Sequence, residues 1–217
     1  EYDFAMQMDA DGQHLPEYVD KLLEKNEDIY SNRDSYFREL VKNFKTVKDA
    51  DFEVPDSLRK IMRGYQRMGY RWLRMLEEYG MGGILADDMG LGKTLQVIAV
   101  LLAAKLEGGK GVSLVVTPAS LVYNWGEELQ RFAPELTGCI ITGNQEERAE
   151  KLCHYKDYDV ILTSYDLLKR DIAEYEGKEF HYQIIDEAQY IKNHSTAAAK
   201  AVKAIRSRTR YALTGTP

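Results

Sequence analysis

The chain has 217 residues, 44% apolar and 29% charged, with a formal net charge of −6 at neutral pH. A globular chain of this length buries roughly 70% of its unfolded surface, so it needs no disulfide or metal staple. No apolar run approaches the roughly 20 residues of a membrane span, so no membrane partner is expected, and the acidic start Glu1-Tyr2-Asp3 does not read as a signal peptide. Cys139 and Cys153 lack metal-ligand spacing and read as two reduced thiols, as expected of a cytoplasmic or nuclear protein.

The charge is unevenly spread. Residues 1–57 hold 7 Lys+Arg against 15 Asp+Glu, a net of −8, and the remainder carries +2. Residues 58–76 hold Arg59, Lys60, Arg63, Arg67, Arg71 and Arg74 without an acid. Residues 188–217 repeat this with Lys192, Lys200, Lys203, Arg206, Arg208 and Arg210. Either cluster fits a solvated helix face, but two acid-free clusters in so acidic a chain also suit a nucleic-acid backbone.

Residues 1–57 read as an acidic, partly helical N-terminal segment with helical stretches between Leu15 and Phe44 and no evident chemistry. Val54-Pro55-Asp56-Ser57 marks a boundary, since Pro55 disfavours helix before it and Asp56 or Ser57 can cap the helix that follows. From Leu58 the pattern alternates. A basic helix over about 58–78 leads to a short apolar strand, Gly83–Ala86, and a long apolar helix, Thr94–Leu106. Strands follow at Ser113–Thr117, Cys139–Thr142, Asp159–Thr163, Tyr182–Asp186 and Arg210–Leu213. Helices at about 120–132, 144–155, 165–175 and 195–205 separate them. Short apolar strands alternating with helices predict an α/β fold over 58–217, a mostly parallel sheet covered on both faces.

Three stretches carry chemistry. Asp87-Asp88-Met89-Gly90-Leu91-Gly92-Lys93-Thr94 lies between a buried strand and a helix, where backbone N–H groups and a helix N-terminus converge on phosphates. Gly90 and Gly92 allow close approach, Lys93 supplies a point charge near the β- and γ-phosphates, and the Thr94 hydroxyl can reach Mg²⁺. Asp87 stands where the general phosphate-loop pattern has glycine. Downstream, Tyr182–Ile185 ends in Asp186-Glu187: one carboxylate, Asp186, to orient hydrated Mg²⁺, the other, Glu187, to position and deprotonate an attacking water. Such a pair alone is an ordinary acidic strand end; behind a phosphate loop it reads as a site. Last, Thr214-Gly215-Thr216-Pro217 after a buried strand is either a plain turn or a carrier of the γ-phosphate state to another surface.

Together these resemble the motifs of superfamily-two helicase-like ATPases, specifically the Swi/Snf-type DNA translocases, in which an Asp commonly replaces the missing glycine. Arg63-Gly64-Tyr65-Gln66, followed by Gly69 and Trp72, resembles the upstream glutamine motif, although the family usually has Pro where Gly64 stands. Val115–Leu121 with Asn124-Trp125, Leu162–Asp166, Asp186–Gln189 with Ile191-Lys192-Asn193, and Leu213–Pro217 match the later motifs in order. Gln189 is frequent in prokaryotic members and His in eukaryotic ones, a hint of a prokaryotic source.

The resemblance implies the first RecA-like lobe of a two-lobed, ATP- and Mg²⁺-dependent, DNA-stimulated ATPase. Gln66 would contact adenine, and residues 88–94, with Asp88, Met89 and Leu91 among them, would surround the phosphates. Thr94 and Asp186 would serve the metal, with Glu187 as base. Thr117, Pro118, Thr163, Ser164, Lys192 and Asn193 would follow the backbone of double-stranded DNA, and Thr214 and Thr216 would couple the site to other surfaces. Alone the lobe is expected to be nearly inactive, because the second RecA-like lobe supplies the arginines that stabilise the transferring phosphate. Ser120 and Ser195 read equally well as helix caps, and Trp72 and Trp125 as core residues more readily than base-stacking platforms. An RNA helicase and a non-catalytic docking lobe are the rival readings.

Overall fold

The computed structural model describes residues 52–88, 90–109 and 111–215, with the backbone of 5–8. The helices expected between Leu15 and Phe44, and the candidates Met89 and Thr216, lie outside the described residues.

Apolar runs flanked by glycine, proline and small polar residues make the strands β1 (Ala5–Met8), β2 (Gly82–Leu85), β3 (Ser113–Thr117), β4 (Gly138–Ile140), β5 (Val160–Ser164), β6 (Glu179–Ile185) and β7 (Arg206–Leu213). They form one sheet in the order β1-β2-β7-β6-β3-β5-β4, parallel at every pairing. The expected parallel α/β fold is therefore present, with one strand that the sequence did not announce: Ala5–Met8 pairs with Gly82–Leu85 at the sheet edge.

Among the described residues the α-helices are α1 (Asp56–Arg59), α2 (Gly64–Glu78), α3 (Lys93–Leu106), α4 (Val122–Phe132), α5 (Gln145–Cys153), α6 (Tyr165–Arg170) and α7 (Ala197–Ala204). The single helix expected over 58–78 is broken between Arg59 and Gly64. Arg63 is extended there, and the Gln66 side chain caps its N–H, so α2 begins afresh. Neither Asp56 nor Ser57 caps α1, whose first turn closes on the Pro55 carbonyl. Thr196, not Ser195, caps α7.

All five positions of β3 and of β5 are buried, because layers cover both faces of the sheet. Alternation sorts them. Val115, Val160, Leu162, Ile184 and Tyr211 join the core beneath α2, α3 and α4. Leu114, Val116, Ile161 and Ile185 join the opposite core with Tyr165, Leu168 and Val202 of α6 and α7. The registers place Leu85 beside Leu213, Ala212 beside Ile185 and Val116 beside Ile185. The C-terminal ends of β2, β7, β6 and β3 thus share one edge, where ligands of open parallel sheets bind. Cys139 is buried and Cys153 exposed, and neither forms a disulfide.

Candidate nucleotide-binding site

The phosphate loop leaves β2 at this edge and runs into the first residues of α3. Gly90 (φ 84°) and Gly92 (φ 74°) both occupy the left-handed region, where a side chain is disfavoured. Lys93 reaches back over the loop, its Nζ donating to the carbonyls of Asp87 at 2.7 Å and Asp88 at 3.1 Å. Leu91 is braced from α2: its carbonyl accepts from Gln66 Nε2 at 3.0 Å and Tyr65 Oη at 3.2 Å. Gln66 thereby spans helix and loop, since its Oε1 accepts from the Arg63 N–H at 2.9 Å.

Asp87, the departure from the general loop pattern, is 2% exposed and accepts a hydrogen bond from Gln96 Nε2 at 3.2 Å. A glycine there could make no such tie between the loop's entry and α3. Gln96 escaped the sequence reading, although a lone amide in the apolar run of α3 is a visible signal.

The loop's two glycines differ in one respect. A Cβ on Gly90 would meet nothing within 4 Å, whereas one on Gly92 would collide with Gln66 Nε2. Gly90→Ala should therefore show only the backbone cost, about 1–2 kcal/mol. Gly92→Ala should also displace Gln66 and weaken nucleotide binding further, as calorimetric titration would read. Equal losses would show that the Gln66 brace plays no part.

Two strands away, β6 delivers Asp186 and Glu187. Asp186 is 8% exposed. Its Oδ2 accepts from Trp125 Nε1 at 2.8 Å and Thr117 Oγ1 at 3.0 Å, and its Oδ1 from the Glu187 N–H at 2.9 Å. Burial raises the Asp186 carboxyl above its usual range; the Trp125, Thr117 and Glu187 N–H donors oppose the rise, and the Glu187 charge adds to it. Glu128, three residues beyond Trp125 and so on the same face of α4, is also raised, by burial first and then by Asp186. Glu187 is the one described non-glycine residue with positive φ, 50°. A conformation costing about 1–3 kcal/mol tends to persist where surrounding contacts over-determine it. Here Gln189 Nε2 donates to Glu187 Oε2 at 2.5 Å, and Gln189 Oε1 accepts from Thr214 Oγ1 at 2.9 Å.

That last contact joins the halves of the site. β7 separates the loop strand from the carboxylate strand, and Thr214 follows directly after it. The Thr214 N–H donates to the Leu85 carbonyl at 3.2 Å on one side, while its hydroxyl reaches Gln189 on the other.

The remaining candidates divide. Lys192 and Asn193 are exposed, whereas Thr117, Pro118, Thr163 and Ser164 are buried. The Thr117 hydroxyl is spent on Asp186, and Ser164 Oγ accepts from the Leu167 N–H as the cap of α6. Thr117, Thr163 and Ser164 thus turn their side chains inward, and the exposed positions beside them are Ala119, Ser120 and Asp166. Trp72 and Trp125 are buried, at 0% and 2% exposure, as core residues should be. Among the described residues no three His, Cys, Asp or Glu side chains form a metal cage; Mg²⁺ is commonly held by one or two carboxylates plus phosphate oxygens, which Asp186 and Thr94 suit.

Residues 65–217 match the family described as the SNF2-related domain. The chain belongs to that family. The chain is 38% identical over 220 residues to an uncharacterized ATP-dependent helicase of Mycoplasma pneumoniae, covering 96% of the chain and 21% of that protein. It is 37% identical over 209 residues to the chromatin-remodeling ATPase INO80 of Candida albicans, covering 91% of the chain and 15% of that protein. It therefore spans about a fifth or less of these relatives. Among solved structures, the Sulfolobus solfataricus SWI2/SNF2 ATPase core in complex with dsDNA matches with a TM-score of 0.66 and 48% identity. That match covers 71% of the chain and 32% of the other one.

Proposed function

We propose that this SNF2-related domain is the first RecA-like lobe of an ATP-dependent translocase acting on double-stranded DNA. In this reading residues 88–94 hold the ATP phosphates, Asp186 and Thr94 serve Mg²⁺, and Glu187 accepts the proton of the attacking water. Bound Mg²⁺ would supply charge to the phosphate oxygens, which neither Lys93 nor the backbone N–H groups can provide as a divalent centre. In this reading the Gln66 amide, which here joins the Arg63 N–H to the Leu91 carbonyl, exchanges part of that bonding for adenine. The observation that carries the reading is the continuous hydrogen-bonded line from the loop strand through Thr214 and Gln189 to Glu187. A second lobe opposite this edge would complete the site, and the chain alone should turn over far below the ~1 s⁻¹ at the low end of complete enzymes. The solved relative bound to dsDNA supports duplex DNA as the partner, with exposed Lys192 and Asn193 as phosphate contacts. Relatives named as helicases and as chromatin-remodelling ATPases suit a cytoplasmic or a nuclear setting alike.

The test joins the domain to its second lobe and measures ATPase stimulation by duplex DNA and by single-stranded RNA, with Lys93→Ala as the inactive control. Stimulation by duplex DNA alone is the expected result; stimulation by RNA alone would replace this reading with an RNA helicase. Duplex affinity should also fall steeply with salt. Each phosphate neutralised by a Lys or Arg would cost roughly 3.5-fold between 50 and 200 mM. A salt-independent affinity would overturn the backbone-binding assignment.

A further inference from the structure

The sequence reads Trp125 as a core residue more readily than as a base-stacking platform. A buried indole N–H needs an acceptor, and the acceptor here is the Asp186 carboxylate, 61 residues away in the chain. Thr117 Oγ1 donates to the same oxygen, Oδ2, so both ends of segment 117–125 converge on one atom. Oδ1 is occupied separately by the Glu187 N–H. From the opposite face of the sheet, Tyr165 Oη donates to the Asp186 main-chain carbonyl at 2.6 Å. Thr117, Trp125 and Tyr165 are 0%, 2% and 5% exposed, so water does not compete for these bonds. Two donors on one oxygen fix the rotation of the carboxyl plane as well as its position. Such outer hydrogen bonds decide how a carboxylate presents itself to a metal.

We propose that Trp125 and Thr117 are positioning residues that hold Asp186 Oδ2 and thereby set the orientation in which the carboxylate meets a divalent cation. The proposal rests on the reading of Asp186 as the metal carboxylate. The segment between the two donors exposes Ala119, Ser120, Tyr123 and Asn124, so the same bonds place an outward-facing turn one hydrogen bond from the metal site at each end.

The experiment measures Mn²⁺ binding to the 217-residue chain by electron paramagnetic resonance in the presence of ATP, and ATP binding alone in EDTA. Trp125→Phe keeps the ring in the core and removes the donor; Thr117→Val keeps the shape and removes the hydroxyl. Each is expected to weaken Mn²⁺ binding about 10-fold, the lower end for lost outer-sphere partners, while metal-free ATP binding stays unchanged. Should Trp125→Phe fail to fold, Thr117→Val carries the same expectation. Mn²⁺ affinity equal to wild type in a folded variant would overturn the proposal alone. Equal losses with and without metal would mean a structural role and overturn it too. Failure of the wild-type chain to bind Mn²⁺ with ATP would overturn the metal-site reading together with the proposal.

Discussion

Glu187→Gln, made in the domain joined to the proposed second lobe, is expected to lower the proposed DNA-stimulated ATP hydrolysis by about 10²–10⁴-fold, the usual contribution of a general base. Nucleotide binding should survive. The carboxamide has the carboxylate's shape, so the left-handed turn at Glu187 and its approach to Gln189 need not change. What the variant loses is the capacity to take a proton from water. Lys93→Ala should behave differently, because in the proposed site that ammonium would lie beside the phosphates, and its removal should cost binding as well as turnover. Rapid-quench turnover and equilibrium nucleotide binding on both variants separate the two roles. Loss of binding in Glu187→Gln would make Glu187 a ligand and transfer the base to another group.

The second large effect concerns stability. Trp72 is fully buried in the core shared by α2, α3 and the sheet. Truncating it should destabilise the chain by about 3–5 kcal/mol, the range for buried Phe or Trp to Ala. Chemical denaturation of Trp72→Ala reads this directly. Duplex affinity of the folded variant should be unchanged, because no part of the ring reaches the surface. The reverse pattern, unchanged stability with lost DNA binding, would make Trp72 a stacking platform and overturn its placement in the core.

The two predictions draw on different kinds of legibility. β3 and β5 could be read because burial on both faces writes a continuous apolar run into the sequence. The glycine-rich loop and the Asp186-Glu187 pair were equally visible, since each is a short contiguous motif at the end of a strand. β1 was not visible: Ala5-Met6-Gln7-Met8 is too short to show a period. The break before α2 was missed because Gln66 serves as its cap partner, a use of glutamine that competes with its expected part at the nucleotide. Thr117 and Ser164 were expected, from the family resemblance, to follow a DNA backbone, and the fold gives both hydroxyls partners within the protein. Trp125 shows the limit most clearly. Its helical periodicity correctly puts it inside, but no local pattern reveals an acceptor 61 residues away on another strand.

The strand that lies between the two halves of the site is the last of the described strands to be synthesised. β2 carries the loop and β6 the carboxylates, and neither pairs with the other; only Arg206–Leu213 bridges them. Without β7 the strands on its two sides share no ladder, so the distance from loop to carboxylates is set across it. The residues expected to handle ATP therefore take their observed spacing from the eight residues of β7, which are paired on both sides.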